Sequence, residues 1–296
     1  MTPSPSTPLP DRYAVLGHPV AHSQSPFIHA EFAQQTGQFI RYDRIESPLD
    51  QFEPTVRRFM TSGDAAAGLG TARGCNITLP FKFQVIPMAK RVTPRAALAQ
   101  AANTLRFDAD GWLADNTDGV GLMRDLQGGA GIALAGRRVL LIGAGGAAAG
   151  VLGPLIDTRP AQITVANRTT AKADSLVQRH RALAADCGVA LAATGLADCG
   201  EGFDVVINSS ASSLSGGPIP VSAAVLGAQA WAVDLMYGAA ARPFLDWAAQ
   251  HGAHGRDGLG MLVEQAAESF QVWRGVLPQT APVLAALRSR LQSPST

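Results

Sequence analysis

The chain has 296 residues, 24 Lys+Arg against 23 Asp+Glu, a formal net charge of +1 and 47% hydrophobic residues. That length predicts two domains. The near-neutral balance excludes a broad basic surface for nucleic acid and an acidic tail, and points to a small ligand or an ordinary enzyme substrate.

The first ten residues, MTPSPSTPLP, have neither the basic start nor the apolar centre of a signal peptide, and their Pro, Ser and Thr content predicts a disordered leader over 1–11. Arg12 to Gly17 (RYAVLG) predicts a strand, followed by the loop HPVAHSQSP. A helix is expected from Pro26 to about Thr36, stopped by Gly37. FIRYDRIE then predicts a strand, LDQFEPTVRRFM a helix and GCNITLP a third strand entering a turn. A further helix starts at Thr93-Pro94, with threonine as cap and proline in the first helical position. Strands and helices alternate, so the class is α/β.

The turn after the third strand carries Lys82 between Phe81 and Phe83. An ammonium there either snorkels, its stem on apolar surface and its head in water, or is held partly out of water so that its proton can move. The residue alone leaves both readings open.

RVLLIG, AQITVAN, FDVVINSS and WAVDLMY continue the α/β rhythm with stronger strands. LGMLVEQAAESFQVW and PQTAPVLAALRSRLQ read as two closing helices. Residues 139–156 carry no charge, near the lower length for a membrane span. Their clustered glycines and Pro154 fit a strand, a tight turn and a helix instead. Cys75, Cys187 and Cys199 match no CxxC or zinc spacing and read as small residues of a reducing, cytoplasmic compartment. His251 and His254 have no evident third ligand, so no metal site is expected.

After RVLLI come Gly143-Ala144-Gly145-Gly146-Ala147-Ala148 and then a helix, which is the context of a dinucleotide fingerprint. One glycine permits the turn, the next lets backbone approach a pyrophosphate, and a small third residue lets helix and strand pack. The next strand ends at Asn167 and Arg168, followed by Thr169 and Lys172, with no carboxylate beside them to hold a ribose hydroxyl. Arginine there suits a 2′-phosphate, so the cofactor expected is NADP. Hydride transfer also needs a substrate alcohol and a proton-transfer group. HSQSP, NITLPFK, ANT and DNTDG place hydroxyls, amides and charges at element ends, where a polyhydroxylated ring could be gripped.

GHPVAHSQSP, GCNITLPFK, AANTL, DNTDGVG, LIGAGGAA, ANRT, DLMYG and DGLGMLVEQAAESFQVWRG together, in this order from about residue 12 to residue 290, strongly resemble the shikimate dehydrogenases. The resemblance implies a two-domain α/β fold. A discontinuous substrate domain would comprise 12–118 and 258–296, and an inserted Rossmann domain 119–257, with shikimate and NADP in the cleft between them. It implies Lys82 and Asp118 as the catalytic pair, Ser23 and Ser25 on the substrate carboxylate, and Thr78, Asn103, Tyr237 and Gln265 on ring hydroxyls or carboxylate. Gly143 to Ala147 and the 167–172 group would hold the nucleotide, and Leu235 and Gly258 would line the nicotinamide.

On the residues alone, other roles stand beside these. Ser25 or Asp118 could cap a helix, Asn103 could stabilise a turn, Gln265 could be a satisfied buried amide and Tyr237 could be packing. The chain departs from the family pattern at Ala30, where asparagine is common, at INSSASSLSG, a variant of the usual loop, and at Lys172, where many members carry a second arginine. The activity implied is reversible NADPH-dependent reduction of 3-dehydroshikimate to shikimate, by a monomer or homodimer that binds neither nucleic acid nor membrane. A paralogous quinate/shikimate dehydrogenase using NAD, and a non-catalytic NADP-binding regulator, are the rival readings. Loop 209–217, rich in Ser and Gly, is a candidate to order on cofactor binding.

Overall fold

A computed structural model describes residues 9–64, 68–210 and 219–292. Most of the expected leader and residues 211–217 of the cofactor loop lie outside the described residues.

Six strands form a first, mixed sheet: β1 (Asp11–Gly17), β2 (Ile40–Glu46), β3 (Ala72–Ile77), β4 (Arg91–Val92), β5 (Thr104–Asp108) and β6 (Gly111–Asp115), in the order β2-β1-β3-β5-β6-β4. β1 starts one residue earlier than expected. It lies between β2 and β3, and its alternating side chains are buried on both faces. Ala14 and Leu16 join Phe52, Val56 and Phe59 of α2 (Phe52–Thr61) on one side, while Tyr13 and Val15 meet Val20 and Tyr42 on the other. Cys75 is buried in the first of these cores, where burial pushes its thiol pKa up and keeps it protonated. Helix α1 (Ser25–Thr36) ends, as expected, at Gly37 in the left-handed conformation. Thr93 caps α3 (Pro94–Ala99) by accepting from the Ala96 amide.

Reading by α/β alternation missed the β5–β6 hairpin, the short β4 and the strands at Ala190–Thr194 and His254–Arg256. β3 pairs antiparallel with β5, and β5 with β6, in a register that sets Thr104 opposite Asp115. The signal was present in Asp-Ala-Asp-Gly between LRF and WLA, where Gly111 takes φ 126°.

The second sheet is wholly parallel: β7 (Arg138–Ile142), β8 (Gln162–Ala166), β9 (Ala190–Thr194), β10 (Phe203–Asn208), β11 (Leu226–Asp234) and β12 (His254–Arg256), in the order β12-β11-β10-β7-β8-β9. That is the doubly wound order, with its crossover point between β7 and β10. Helices α5 (Gly146–Asp157), α6 (Thr170–Cys187) and α7 (Arg242–Gln250) connect its strands. Residues 139–156 are thus a strand, a turn and a helix, and no helix among the described residues is long and apolar enough to cross a membrane.

Two connections join the sheets. α4 (Asp118–Met123) leaves the first sheet and packs between α5 and the long closing helix α8 (Leu259–Arg274). α8 then returns to the first sheet, where Val263, Ala266 and Phe270 pack with Ile28 and Phe32 of α1 and with Val283 and Leu287 of α9 (Thr280–Gln292).

A charge network pins this return. Arg95 Nη2 donates to buried Asp115 Oδ2 at 2.6 Å and Arg95 Nη1 to Glu268 Oε1 of α8 at 2.9 Å. Burial alone would raise the Asp115 pKa. The hydrogen bonds and charge of Arg95, with Thr93 and the Asn116 amide, hold it below the ordinary carboxylate value. The ionised carboxylate therefore stabilises the fold above about pH 4, and that contribution is lost as pH falls through the depressed value. In Arg95→Met only Thr93 and the Asn116 amide still oppose burial, so the Asp115 pKa rises. Unfolding measured against pH should show the variant about 2–3 kcal/mol less stable at pH 7, because a buried charge loses its partner. The deficit should shrink towards pH 4, and a deficit constant across that range would contradict this account.

Candidate active site

Ends of β3, β5 and β6 approach the glycine turn after β7, and of the expected site residues Lys82, Asp118, Asn103 and Gln265 collect at this junction. Lys82 lies on a single 3-10 turn, Phe81–Gln84. Its two aromatic neighbours do not enclose it. Phe81 turns into the core and stacks on Phe52 at 4.5 Å between centroids, and Phe83 is 43% exposed. What holds the ammonium is a carboxylate: Lys82 Nζ donates to Asp118 Oδ2 at 2.5 Å, the two side chains being 12% and 5% exposed. The lysine stem rests on the glycine turn of the second sheet, so closely that a Cβ on Gly146 would come within 3.0 Å of Lys82 Cβ. Snorkelling is thereby excluded for Lys82, whose head is paired instead of solvated.

The hairpin register explains how Asp118 reaches this place. With Thr104 opposite Asp115, the residue before β5 and the residues after β6 are adjacent. Asn103 Nδ2 contacts Asp118 Oδ1 at 3.0 Å, Thr117 Oγ1 at 2.9 Å and Gln265 Oε1 at 3.1 Å. Its Oδ1 accepts from the Thr117 amide at 2.9 Å and from Thr104 Oγ1 at 3.0 Å. Asn116 Oδ1 accepts from the Asp118 amide, and Asn116 Nδ2 donates to the Ala101 carbonyl. Asp118 is the first residue of α4 and its side chain faces Lys82, so the capping role open in the sequence is not the one it has.

Gln265 reaches the same cluster from α8 and donates Nε2 to the Leu262 carbonyl, a buried amide with both ends satisfied. Ser269, one turn further along α8, bonds to Thr104, Thr117 and Asn76. Thr104, Thr117 and Ser269 were not among the expected site residues. Their signal was a run of small hydroxyl residues beside the named amides, with Ser269 four positions after Gln265 on one helix face.

Ser25 opens α1 without capping it. Ser23 Oγ and Ser25 Oγ are 3.2 Å apart, and Arg44 Nε donates to the Ser23 carbonyl at 2.8 Å. Tyr237, which follows β11, lies against this loop: burial raises its phenol pKa, and the Gln24 backbone opposes that rise. Thr78 is half-buried at the end of β3 with its methyl group against Gly17, and its hydroxyl makes no hydrogen bond among the described residues.

At the glycine turn, Gly143 has φ 107°, and a Cβ there would lie 2.6 Å from Ser209 Oγ, so any other residue would be both strained and crowded. Gly145 is the N-cap of α5, Ala144 and Ala147 are half-buried beside it, and Ala148 is buried where the helix packs on its strand. Asn167 Nδ2 donates to the Thr169 carbonyl and folds the loop ahead of α6. Arg168 and Lys172 are exposed, and their side chains form no hydrogen bond or ion pair among the described residues. Free cations beside a helix start whose N-cap Thr169 makes no side-chain bond fit a phosphate group. Leu235 and Gly258 meet directly: a Cβ on Gly258 would lie 2.3 Å from the Leu235 carbonyl oxygen. No group of three or more His, Cys, Asp or Glu able to hold a metal occurs among the described residues.

Three domain-family models match in order: the shikimate dehydrogenase substrate binding domain over residues 15–105, the shikimate/quinate 5-dehydrogenase model over 127–215 and the shikimate 5′-dehydrogenase C-terminal domain over 258–288. A shikimate dehydrogenase (NADP(+)) of Methylibium petroleiphilum is 61% identical over 286 residues, covering 97% of each chain. Among solved structures, an Ael1 enzyme of Pseudomonas putida superposes with a TM-score of 0.80 at 42% identity, over 96% of this chain and 99% of that one. The shikimate 5-dehydrogenase of Thermus thermophilus, in complex with NADP(H) and shikimate, does so with a TM-score of 0.75 at 30% identity, over 94% and 99%. On the order of its motifs, its two sheets and these relatives, the chain belongs to the shikimate dehydrogenase family.

Proposed function

We propose that this protein is an NADP-dependent shikimate dehydrogenase that interconverts 3-dehydroshikimate and shikimate, and that residues 12–118 and 258–296 form its substrate domain and 119–257 its cofactor domain. The observation that carries the reading is the shielded Lys82–Asp118 pair, set against the glycine turn of the parallel sheet. A binding protein has no need of that pair at that place.

Reduction of the ketone places a hydride on carbon and a proton on oxygen; bound NADPH supplies the hydride. The Lys82 ammonium supplies the proton and stabilises the developing alkoxide, and in oxidation the same amine takes the proton back. Asp118 fixes Nζ through Oδ2 and is itself held through Oδ1 by Asn103, so the two act as a coupled pair. Ser23 and Ser25 hold the substrate carboxylate, with Tyr237 closing on the same loop. Thr78, with an unengaged hydroxyl, and Asn103 and Gln265 hold the ring hydroxyls.

Gly143, Ala144, Gly145, Gly146 and Ala147 take the pyrophosphate. Asn167, Arg168, Thr169 and Lys172 take the adenosine end, and Leu235 and Gly258 line the nicotinamide. The unengaged cations and the lack of a carboxylate after β8 favour NADP over NAD. Lys172 keeps the charge of the arginine common in the family but not its fork. The three free cysteines fit a cytoplasmic setting, and a monomer or homodimer suffices for a site drawn wholly from one chain.

Initial rates of nicotinamide reduction, with shikimate or quinate each paired with NADP or NAD, should be dominated by shikimate with NADP. Dominance of quinate or NAD would place the chain in the paralogous branch, and NADP binding without turnover would support a regulator. Lys82→Ala should lower kcat by about 10³-fold, within the range of general acid–base catalysis, with the Kd for NADP nearly unchanged by titration. Equal losses in both would assign Lys82 to holding the glycine turn in place. Arg168→Ala should raise the KM for NADP by about ten- to a hundredfold, the worth of a charge-assisted phosphate contact, and leave the KM for NAD unaltered. A matching rise with NAD would show that Arg168 does not read the 2′-phosphate.

A further inference from the structure

Tyr42 lies on β2, outside every motif that marks the family and away from the Lys82–Asp118 pair. Its phenol oxygen is buried and donates to Asn76 Oδ1 at 2.7 Å. That bond decides which way the Asn76 amide faces, because its Nδ2 must then point the other way. There Nδ2 donates to Thr104 Oγ1 at 3.1 Å, to Ser269 Oγ at 3.0 Å and to the Asn103 carbonyl at 3.1 Å. Thr104, receiving from Asn76, gives its own proton to Asn103 Oδ1 at 3.0 Å. Asn103 in turn presents Nδ2 to Asp118 Oδ1 at 3.0 Å. Every step from Tyr42 to Asp118 therefore donates in one direction, and in a low-dielectric interior such steps polarise one another.

The other end of the chain reaches the serine loop. The Ser25 side chain opposes the effect of burial on the Tyr42 phenol, and Ser25 Oγ lies 3.2 Å from Ser23 Oγ. This step is electrostatic, the loosest in the series. Burial keeps the phenol protonated, well above its ordinary range, so it serves as a fixed donor and not as a base. His29 supplies the platform: it stacks on the Tyr42 ring at 4.2 Å with planes 8° apart, and burial lowers its pKa to about 3, so it is a neutral ring.

We propose that Tyr42 is a positioning residue for the dehydrogenation, setting through Asn76, Thr104 and Asn103 the orientation of Asp118 and coupling it to the serines that hold the substrate carboxylate. This rests on the roles proposed above for Ser25 and Asp118. Removing the phenol proton leaves Asn76 Oδ1 without its donor. A half-turn of the amide would then offer a carbonyl to Thr104 and Ser269, and Thr104 would donate to it instead of to Asn103. The Thr117 amide still holds Asn103 Oδ1 at 2.9 Å, so the effect is partial.

The test uses the full chain as wild type, Tyr42→Phe, Ser25→Ala and the double variant, with shikimate and NADP. NADP titration counts the cofactor-binding sites, so that kcat is expressed per site. Phenylalanine keeps the ring on His29 and removes only the hydroxyl. The expected result is a loss of about fivefold in kcat per site for Tyr42→Phe, the worth of about one neutral hydrogen bond, with the Kd for NADP unchanged. The kcat loss caused by Ser25→Ala should be clearly smaller in the Tyr42→Phe background than in the wild type, the signature of coupled positions. An unchanged kcat per site, including the case where only the number of binding sites falls, would overturn the proposal, as would losses that simply multiply. The underlying functional reading fails separately, and takes this proposal with it, if wild type does not oxidise shikimate or Ser25→Ala alters neither kcat nor KM.

Discussion

The side-chain amide of Asn103 is the point on which the site depends. It is buried, so both its ends must be satisfied within the protein. Its partners come from three separate stretches of chain: Thr104 beside it, Thr117 and Asp118 after the hairpin, and Gln265, 162 residues later. The two Nδ2 protons are shared among three acceptors, and the oxygen accepts from a backbone amide and a hydroxyl. A group satisfied in this way has one orientation, and so does Asp118. Lys82 inherits its position from Asp118, which is why an ammonium can remain largely out of water without sitting in an aromatic cage.

The second constraint is close approach of backbone at α4. This helix carries Asp118 at its first residue and is pressed between the two halves of the molecule. A Cβ on Gly119 would lie 2.6 Å from the Gly150 carbonyl oxygen of α5, and one on Gly121 would lie 2.6 Å from the Gln265 amide of α8. The glycines of the DGVG motif thus let one helix touch both neighbours. Asp118, the helix that follows the glycine turn and Gln265 of α8 are joined through a single short element, whose position neither half can change alone.

The network also explains why polar residues occur so densely in a region that would otherwise be core. Asn76, Thr104, Thr117 and Ser269 are all buried, and each exchanges hydrogen bonds with at least one of the others. Leaving any one unpaired would cost roughly 1–3 kcal/mol. Such a cluster holds one geometry at the expense of tolerance, which suits a site where a proton must be delivered to a defined atom. The charged pair Arg95–Asp115 performs the same service one layer below, fixing the end of β6 from which Asn116 to Asp118 emerge.

The amino-acid sequence by itself determined the α/β class, the four main strands of the second sheet and the glycine turn, because these follow from local patterns: apolar runs of strand length, glycines where backbone must turn, and a helix stop at Gly37. It also singled out Lys82, Asp118, Asn103 and Gln265, through the order of motifs along the chain. The residues around Lys82 left open what holds it, since adjacency to Phe81 and Phe83 in the chain does not fix where side chains point on a 3-10 turn. The β5–β6 register, the contacts of α8 with the residues around that hairpin and the choice between helix cap and Lys82 partner for Asp118 were decided only by tertiary structure. These are contacts between residues far apart in the chain, and a hydrogen bond such as that from Asn103 to Gln265 leaves no periodic or compositional trace in either segment.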